Sequence, residues 1–422
     1  MDQVDLGVDE GPGVIESTLG EDDIVSIAQD LLTLRYGGQQ TLTQVEKLAG
    51  SGAGEVFRAR VAPSPFLPQR SVVVKHNPAT GLAIDDYALL CEIVAYQFTT
   101  SLPEDLRPGP VLLAYDVDKR IVVLTDLGDS ETLSEALDHS DSESRRVLLR
   151  TLGCDLGRMH AGTAGREFEF DLLYNRLFRK NPTFATNQRQ RTEALHQSIY
   201  VGLDILRREG FEVPDTFVEY AHCAAAALLS GSERAFTPLD LSPDNILVNK
   251  KMYFLDYEWA GFRNVVFDVA CVVAGFPQFL FTSPISSEEA DIFISAWARE
   301  VESTWPRFAD REVRNNQIIA SLIGWALSSV TTMFTGGLVG LSALAQGDIS
   351  LDECVNKAVL RSGKMTPFSE EELLIRRDLF ETFEALARFS QHADTSVEVP
   401  QHADISAFSS AAAKRLAWPP AF

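Results

Sequence analysis

Cysteine is scarce in this chain of 422 residues: its five cysteines are widely spaced and include no C-x-x-C pair. A disulfide scaffold needs a denser, paired set, so that class is excluded. An odd number of scattered thiols is typical of reduced, mostly buried cysteines in a cytoplasmic protein. The N-terminus also lacks a basic segment followed by an apolar run, so we expect no signal peptide.

Basic residues are also few, since 37 Lys and Arg face 60 Asp and Glu and leave a formal net charge of −23. This negative charge argues against nucleic acid or an anionic membrane as a partner, and it would suit a cationic small molecule. The first 30 residues hold nine acidic side chains and no Lys or Arg. Because like charges repel at that density, we expect residues 1–20 to form a disordered acidic arm.

Charged residues are absent from one long stretch, residues 317–347. The stretch is long enough to span a bilayer, but Ser, Thr and Gly interrupt it repeatedly. It predicts a buried helix, a turn at Gly336 and Gly337, and a second short helix. An integral membrane protein is the alternative.

Hydrophobic periodicity predicts a small sheet near the start of the chain. Residues 23–36 show the one-face spacing of a helix, which stops at Gly37 and Gly38. Five strands follow, with a helix at 87–98 after the third strand. The predicted strands span residues 43–48, 55–61, 71–76, 111–115 and 121–124.

From residue 131 the helical pattern dominates, apart from a short hairpin at 246–248 and 252–255. The prediction is therefore an α+β protein, with a cleft where its two lobes join. Its parts are a β-rich N-lobe over 21–126, a helical C-lobe over 127–390 and a polar tail over 391–422. The tail holds Gln-His-Ala-Asp twice, ten residues apart, which we interpret as a duplicated linker without the structure to hold a metal.

The most informative run is T-P-L-D-L-S-P-D-N-I-L-V at 237–248, followed by F-L-D-Y-E-W at 254–259. Two strands flanking a turn bring Asn245 and Asp256 to neighbouring strand ends. A carboxylate and an amide oxygen there suit Mg²⁺, which takes few protein oxygens beside those of phosphates. Asp240, on the preceding loop, is placed to accept a proton from an attacking hydroxyl.

These residues resemble the motifs of the aminoglycoside phosphotransferase and choline kinase family, whose members have a two-lobed protein-kinase-like fold. The family's loop reads H-G-D-x-x-x-x-N, and D-x-E follows on the next strand. The resemblance implies that Asp240 is the catalytic Asp and that Asn245 and Asp256 hold the metal. It also implies that Glu258 is the second acid of D-x-E, near the acceptor.

Two further residues fall in segments that resemble the family. Asp268 stands where the family has an Asp at a helix start, and an ordinary helix N-cap is the alternative. His160 lies in a helix common in the family, and we interpret it as a packed helix residue and not as a catalyst.

The N-terminal half resembles the same family. The segment L-A-G-S-G-A-G-E-V-F at 48–57 is a glycine-rich turn between predicted strands, and such turns leave backbone N–H groups open to phosphates. Lys75 resembles the family's phosphate-contacting Lys, and Glu92 resembles its ion-pair partner. Residues 122–128 resemble the segment that joins the lobes and hydrogen-bonds adenine. The implied nucleotide-binding residues are Gly50, Ser51, Gly52, Gly54, Lys75, Glu92 and Asp126.

The catalytic loop departs from the family in one place, because Pro238 and Leu239 replace the family's His and Gly. That His normally braces the loop by hydrogen bonds, so its loss changes how Asp240 is positioned. A misplacement of about 1 Å costs phosphoryl transfer on the order of a hundredfold in rate. A catalytically degenerate module that binds nucleotide or a partner protein is therefore the alternative.

The favoured hypothesis is a phosphotransferase that moves the γ-phosphate of ATP or GTP to a hydroxyl of an aminoglycoside-like or other small metabolite, with Mg²⁺. The acceptor is expected against the helical lobe, between residues 131 and 235 and near Glu258. Trp259 is left open between a core position and a contact with the acceptor.

Overall fold

A computed structural model gives the fold of residues 19–48, 54–80, 83–182, 184–279, 284–356, 358–361, 367–394 and 402–417. The predicted acidic arm, up to residue 18, lies outside the described residues. The chain forms two compact units: Met1–Ile93 with Val111–Asp126, and Val94–Pro110 with Leu127–Phe422. Residues 94–110, which the sequence prediction assigned to the N-lobe, belong to the second unit.

The first unit is built on a five-stranded antiparallel sheet in the order β1-β2-β3-β5-β4. Alternate residues of β3 are buried, as period-2 side-chain alternation requires. The fully buried Ile24, Ala28 and Leu32 of α1 join the apolar core of this sheet. The elements are α1 (Glu21–Tyr36), β1 (Leu42–Leu48), β2 (Glu55–Val61), β3 (Ser71–His76), β4 (Leu112–Asp116) and β5 (Ile121–Thr125).

The helix α2 (Ala83–Ser101) begins in the first unit and ends in the second, which is mostly helical. The second unit also holds two small antiparallel sheets, β6-β8-β9 and β7-β10. Their strands are β6 (Glu131–Thr132), β7 (Arg234–Thr237), β8 (Ile246–Val248), β9 (Met252–Phe254) and β10 (Gly261–Asn264). The remaining helices are α3 (Leu133–His139), α4 (Ser142–Thr163), α5 (Glu167–Lys180), α6 (Phe184–Arg208), α7 (Asp215–Leu229), α8 (Val266–Val273), α9 (Ser287–Val301), α10 (Arg311–Thr335), α11 (Leu338–Gln346), α12 (Glu370–Asp394) and α13 (Ala403–Leu416). The predicted α+β class, a small β-rich unit and a larger helical one, is confirmed.

The uncharged stretch at 317–347 forms the central helix of the second unit. The helix α10 packs against α6, α7, α8 and α12. It ends at the left-handed Gly336, and α11 follows after Gly337, so the predicted helix, turn and short helix are confirmed. Among the described residues, α10 is the one helix long and apolar enough to cross a membrane, and 89% of its most apolar window is buried inside the protein.

The C-terminal segment differs from the predicted polar tail. The helix α12 continues to Asp394, and residues 403–416 form α13, which packs against α12. The prediction was wrong because the Ala/Ser-rich composition hid a helical spacing: Ile405, Phe408 and Leu416 are all buried. Described residues of the two Gln-His-Ala-Asp copies also contact each other, since Nδ1 of His402 lies 2.7 Å from Oδ1 of Asp394.

Candidate functional site

The loop that carries Asp240 lies between two paired segments of the second unit. The strand β7 ends at Thr237 and pairs with β10, and the Thr237 hydroxyl donates to the Gly261 carbonyl at 3.1 Å. The Ser242 N–H donates to Oδ1 of Asp240 at 3.0 Å. Backbone and hydroxyl contacts therefore hold this loop, in which the buried Pro238 replaces the family's His.

Asn245 and Asp256 are brought together by the hairpin of β8 and β9. Ile246 pairs with Phe254, and one step further the Leu255 N–H donates to the Asn245 carbonyl at 2.9 Å. Asp256 is the next residue after Leu255, and both Asn245 and Asp256 are partly exposed. The predicted juxtaposition of these two residues at neighbouring strand ends is therefore observed.

Two residues of these motifs adopt left-handed backbone conformations, Leu239 with φ 61° and Asp256 with φ 55°. Such conformations cost an L-residue about 1–3 kcal/mol and concentrate at functional sites. The residue after Asp256, Tyr257, is fully buried, and its ring lies 4.9 Å from that of Tyr96. Burial of the ring also raises the pKa of Tyr257. This anchor holds the strained backbone at Asp256.

The donor set at the hairpin fits Mg²⁺. Among the described residues, no group of three or more His, Cys, Asp or Glu side chains could hold a metal ion by itself. One carboxylate, Asp256, and one amide oxygen, Asn245, form an incomplete oxygen set. Mg²⁺ usually keeps several waters and takes phosphate oxygens beside one or two protein ligands, so an incomplete set of hard oxygens is what it requires.

A buried hydrogen-bond network joins α4, α8 and α9. Trp297 donates its indole N–H to Nδ1 of His160 at 3.0 Å. The ring proton of His160 is therefore on Nε2, which donates to Oδ2 of Asp268 at 3.1 Å. His160 and Asp268 are both fully buried. His160 is thus a packed residue, as interpreted, and Asp268 lies inside α8 while Val265 occupies the N-cap position.

A pocket of about 190 Å³ opens in the second unit with Asp240 in its wall. Trp259 lines the same pocket, which places it at the site and not in the core. The opposite side is formed by α6, α7, α10 and α11. The helices α6 and α10 are in close contact at Gly202, where a Cβ atom would lie 2.4 Å from the Leu327 carbonyl oxygen. Glycine is required there, because any side chain would push these two walls apart.

The first unit contains the predicted lysine–glutamate pair. Lys75 Nζ, at the end of β3, lies 2.7 Å from Glu92 Oε1 on α2. The other Glu92 oxygen accepts from Asn77 Nδ2 at 3.2 Å, and the Glu92 side chain is 1% exposed. A buried carboxylate with two donors holds the Lys75 ammonium in one position.

The other predicted nucleotide-binding residues lie in the same unit. Gly50, Ser51 and Gly52 fall outside the described residues. Gly54 packs closely on Asn77, the residue that donates to Glu92, since a Cβ atom at Gly54 would lie 2.7 Å from Oδ1 of Asn77. Asp126 forms an ion pair with Arg58 at 3.1 Å.

The sequence reasoning missed part of the site. It placed the acceptor between residues 131 and 235, whereas the pocket is also lined by Phe279 and by Trp325, Ser328 and Thr332 of α10. The available signal was the uncharged stretch at 317–347, in which Ser328 and Thr332 are spaced to share one helix face. Glu258, predicted near the acceptor, is partly exposed beside Trp259 and does not line the pocket.

Comparison with solved structures finds distant similarities. A streptomycin–ATP–APH(2″)-IIa ternary complex is 11% identical, with a TM-score of 0.40, over 80% of this chain and 99% of that one. The choline kinase LicA from Streptococcus pneumoniae is 15% identical, with a TM-score of 0.41, over 82% and 94%. A fructosamine-3-kinase from Haemophilus somnus is 12% identical, with a TM-score of 0.38, over 76% and 94%.

No curated protein sequence matches the chain. A sequence model of the phosphotransferase enzyme family matches residues 96–310, just over half of the chain. The matched range includes the catalytic-loop motif, the β8–β9 hairpin and the buried His160–Asp268 pair. The chain therefore belongs to the phosphotransferase enzyme family.

Proposed function

We propose that this phosphotransferase moves the γ-phosphate of ATP or GTP to a hydroxyl group of a small molecule. The observation that carries the proposal is the position of Asp240, which lies in the wall of the pocket and on the loop that leads to Asn245. A base in a pocket wall has room for a substrate hydroxyl beside it.

In this proposal each site residue has a separate role in phosphoryl transfer. The Asp240 carboxylate accepts the proton of the acceptor hydroxyl while the acceptor oxygen forms its bond to the γ-phosphorus. The bond between the γ-phosphorus and the β–γ bridging oxygen breaks, and its electron pair leaves with the nucleoside diphosphate. Asn245 and Asp256 would hold Mg²⁺, which supplies positive charge to the phosphate oxygens. Lys75, held by Glu92, neutralises the α- and β-phosphates.

The test is nucleoside diphosphate release by the purified chain with Mg²⁺ and ATP or GTP, with and without pooled alcohols. Asp240→Asn removes the base and is expected to lower kcat by about 10²- to 10⁴-fold with little change in nucleotide affinity. Asp244→Asn is the matched control, because Asp244 is exposed on the same loop. Equal loss of activity in both variants would contradict the role of Asp240.

A catalytically degenerate nucleotide-binding module is the second candidate, and Pro238 in place of the family's His favours it. It predicts nucleotide binding without acceptor-dependent turnover, and no functional difference between wild type and Asp240→Asn. Absence of nucleotide binding even at millimolar concentration would contradict both candidates.

A further inference from the structure

Among the described residues, Asp240 is the one charged side chain in the lining of this pocket. Apart from Asp240, its lining consists of four leucines, four aromatic residues and four uncharged polar residues. Transfer of a charge into such surroundings is costly unless an opposite charge pairs with it. The described lining therefore offers one carboxylate, that of Asp240, against any positive charge that a ligand brings.

Charge and size both argue against enclosing a polycationic acceptor in this pocket. An aminoglycoside has several ammonium groups on several rings, whereas the described lining supplies one carboxylate, that of Asp240. The pocket measures about 190 Å³. An apolar cavity of roughly 150 Å³ accommodates benzene, so the part of a ligand that this pocket encloses is about the size of one six-membered ring.

A compact monocation is disfavoured by a second observation. Aromatic walls bind quaternary ammonium groups through their ring faces. Trp259, however, already has the guanidinium carbon of Arg191 at 3.8 Å from its ring centroid, and Arg191 is 5% exposed. This ring face of Trp259 is therefore already occupied by a cation of the protein and is closed to a cation of the ligand.

Two of the three hydroxyls in the described pocket wall, those of Ser198 and Ser328, already donate their protons within the protein. Ser198 donates to the Leu195 carbonyl at 2.7 Å, so in its 2.8 Å contact with Ser328 the proton comes from Ser328. The Trp325 indole N–H donates to the Phe267 carbonyl at 2.8 Å. These groups present apolar surface and acceptor oxygens to a ligand.

We propose that the acceptor is an uncharged alcohol whose apolar body is about the size of a six-membered ring. This inference rests on the proposed function and specifies the substrate class of the same site. The hydroxyl lies at Asp240, and the body lies among the aromatic residues and leucines. The alcohol oxygen forms the new bond to the γ-phosphorus, its proton passes to Asp240, and the nucleoside diphosphate leaves with the electron pair of the broken bond.

The test compares two probes of nearly equal size and shape, choline and 3,3-dimethylbutan-1-ol, in which carbon replaces the charged nitrogen. Gentamicin serves as the polycation. Binding to the full chain is measured by calorimetry, and phosphoryl transfer is measured with ATP and Mg²⁺. We expect the uncharged alcohol to bind about tenfold or more tightly than choline, because choline must desolvate its charge. We expect no saturable binding of gentamicin.

Two variants of α11 locate the binding site. Leu341 lines the pocket and is 3% exposed, whereas Val339 on the same helix is 51% exposed. Leu341→Trp is expected to weaken binding of the alcohol about tenfold or more by filling the pocket, with nucleotide binding retained as evidence of a folded chain. Val339→Trp adds the same side chain at the surface and is expected to leave binding unchanged.

The outcomes separate this inference from the proposed function. Binding of the alcohol without phosphoryl transfer would overturn the transferase function and leave the preference of the pocket standing. Transfer to choline or gentamicin, with no binding of the alcohol, would support the transferase and overturn the inference. Absence of binding by all three probes, or equal binding in wild type and Leu341→Trp, would also overturn it.

Discussion

At the scale of single residues, the lysine–glutamate pair has a structural effect separate from its proposed role with nucleotide. Glu92 is 1% exposed at its side chain, so removing Lys75 leaves a buried carboxylate without its lysine partner. An uncompensated buried charge destabilises a protein by about 3–5 kcal/mol. A loss of activity in a Lys75 variant is therefore informative only when the stability of the chain is also measured.

We predict that Lys75→Met lowers both stability and nucleotide affinity, and that Lys75→Met with Glu92→Gln restores stability alone. Loss of a charge-assisted contact to phosphate is expected to cost about 1.5–3 kcal/mol, or roughly 10- to 150-fold in Kd. Urea denaturation and nucleotide titration measure the two quantities. Lys119→Met, in an exposed turn of the same unit, is the control. Recovery of affinity in the double variant would contradict a direct role for Lys75.

His76, beside Lys75 on β3, predicts a pH dependence of stability. Burial lowers the pKa of His76, and the nearby Glu55 carboxylate only partly opposes this effect. The folded chain therefore binds fewer protons at His76 than the unfolded chain does around its ordinary pKa of about 6.5. The stability contribution is complete above that pKa and is lost as the pH falls through it.

We expect the urea midpoint of wild type to fall between pH 8 and pH 5 more steeply than that of His76→Gln. Because one proton is involved, the free energy of unfolding of the two proteins can differ in its pH slope by at most about 1.4 kcal/mol per pH unit. Identical pH profiles for the two proteins would show that His76 does not couple to folding.

At the scale of elements, the described parts of the two Gln-His-Ala-Asp segments lie at the end of α12 and at the start of α13. The His402 N–H donates to Asp394 Oδ2 at 2.9 Å, and Nε2 of His402 lies 3.1 Å from the hydroxyl of Tyr220 on α7. His402 is 4% exposed. The corresponding His392 of the first copy is partly exposed and pairs with Asp291 at 2.8 Å. One sequence repeat therefore occupies two different environments.

We predict that His402→Ala destabilises the chain by about 2–3 kcal/mol, because it leaves buried polar partners of the ring unsatisfied. His392→Ala removes a partly exposed contact with Asp291 and is expected to cost at most about 1 kcal/mol. Urea denaturation of the two variants measures the contrast. Equal losses would mean that the contacts of His402 do not anchor α13.

At the scale of the whole molecule, nucleotide binding raises the free energy of unfolding of the chain. A ligand that binds only the folded chain stabilises it by about 2.7 kcal/mol at one hundred times its Kd. We predict that ADP with Mg²⁺ raises Tm and that EDTA removes part of the increase. Asp256→Asn is expected to lose the part that depends on Mg²⁺, whereas Asp244→Asn keeps it. An equal Mg²⁺ effect in both variants would contradict metal binding at Asp256.

The cysteines and the net charge also act at this scale. None of the five cysteines forms a disulfide, and Cys91, Cys271 and Cys354 are buried. Burial and the nearby Asp268 and Asp240 carboxylates raise the pKa of Cys271, which keeps its thiol protonated. The net charge of −23 suggested a cationic acceptor, but a global charge does not determine the lining of a particular pocket.

The sequence by itself determined the elements and the chemical motif of this protein, because both depend on local spacing. Strands at 55–61 and 71–76, the helix–turn–helix around Gly336, and the neighbouring ends of β8 and β9 follow from periodicity and turn residues. Tertiary structure alone decided the pocket. Its walls join Asp240 to residues of α6, α10 and α11 that are far apart in the chain, and such contacts leave no local pattern in the sequence. The same reason explains why α13 was not predicted. Its apolar face is short, and the helix is stabilised by packing on α12.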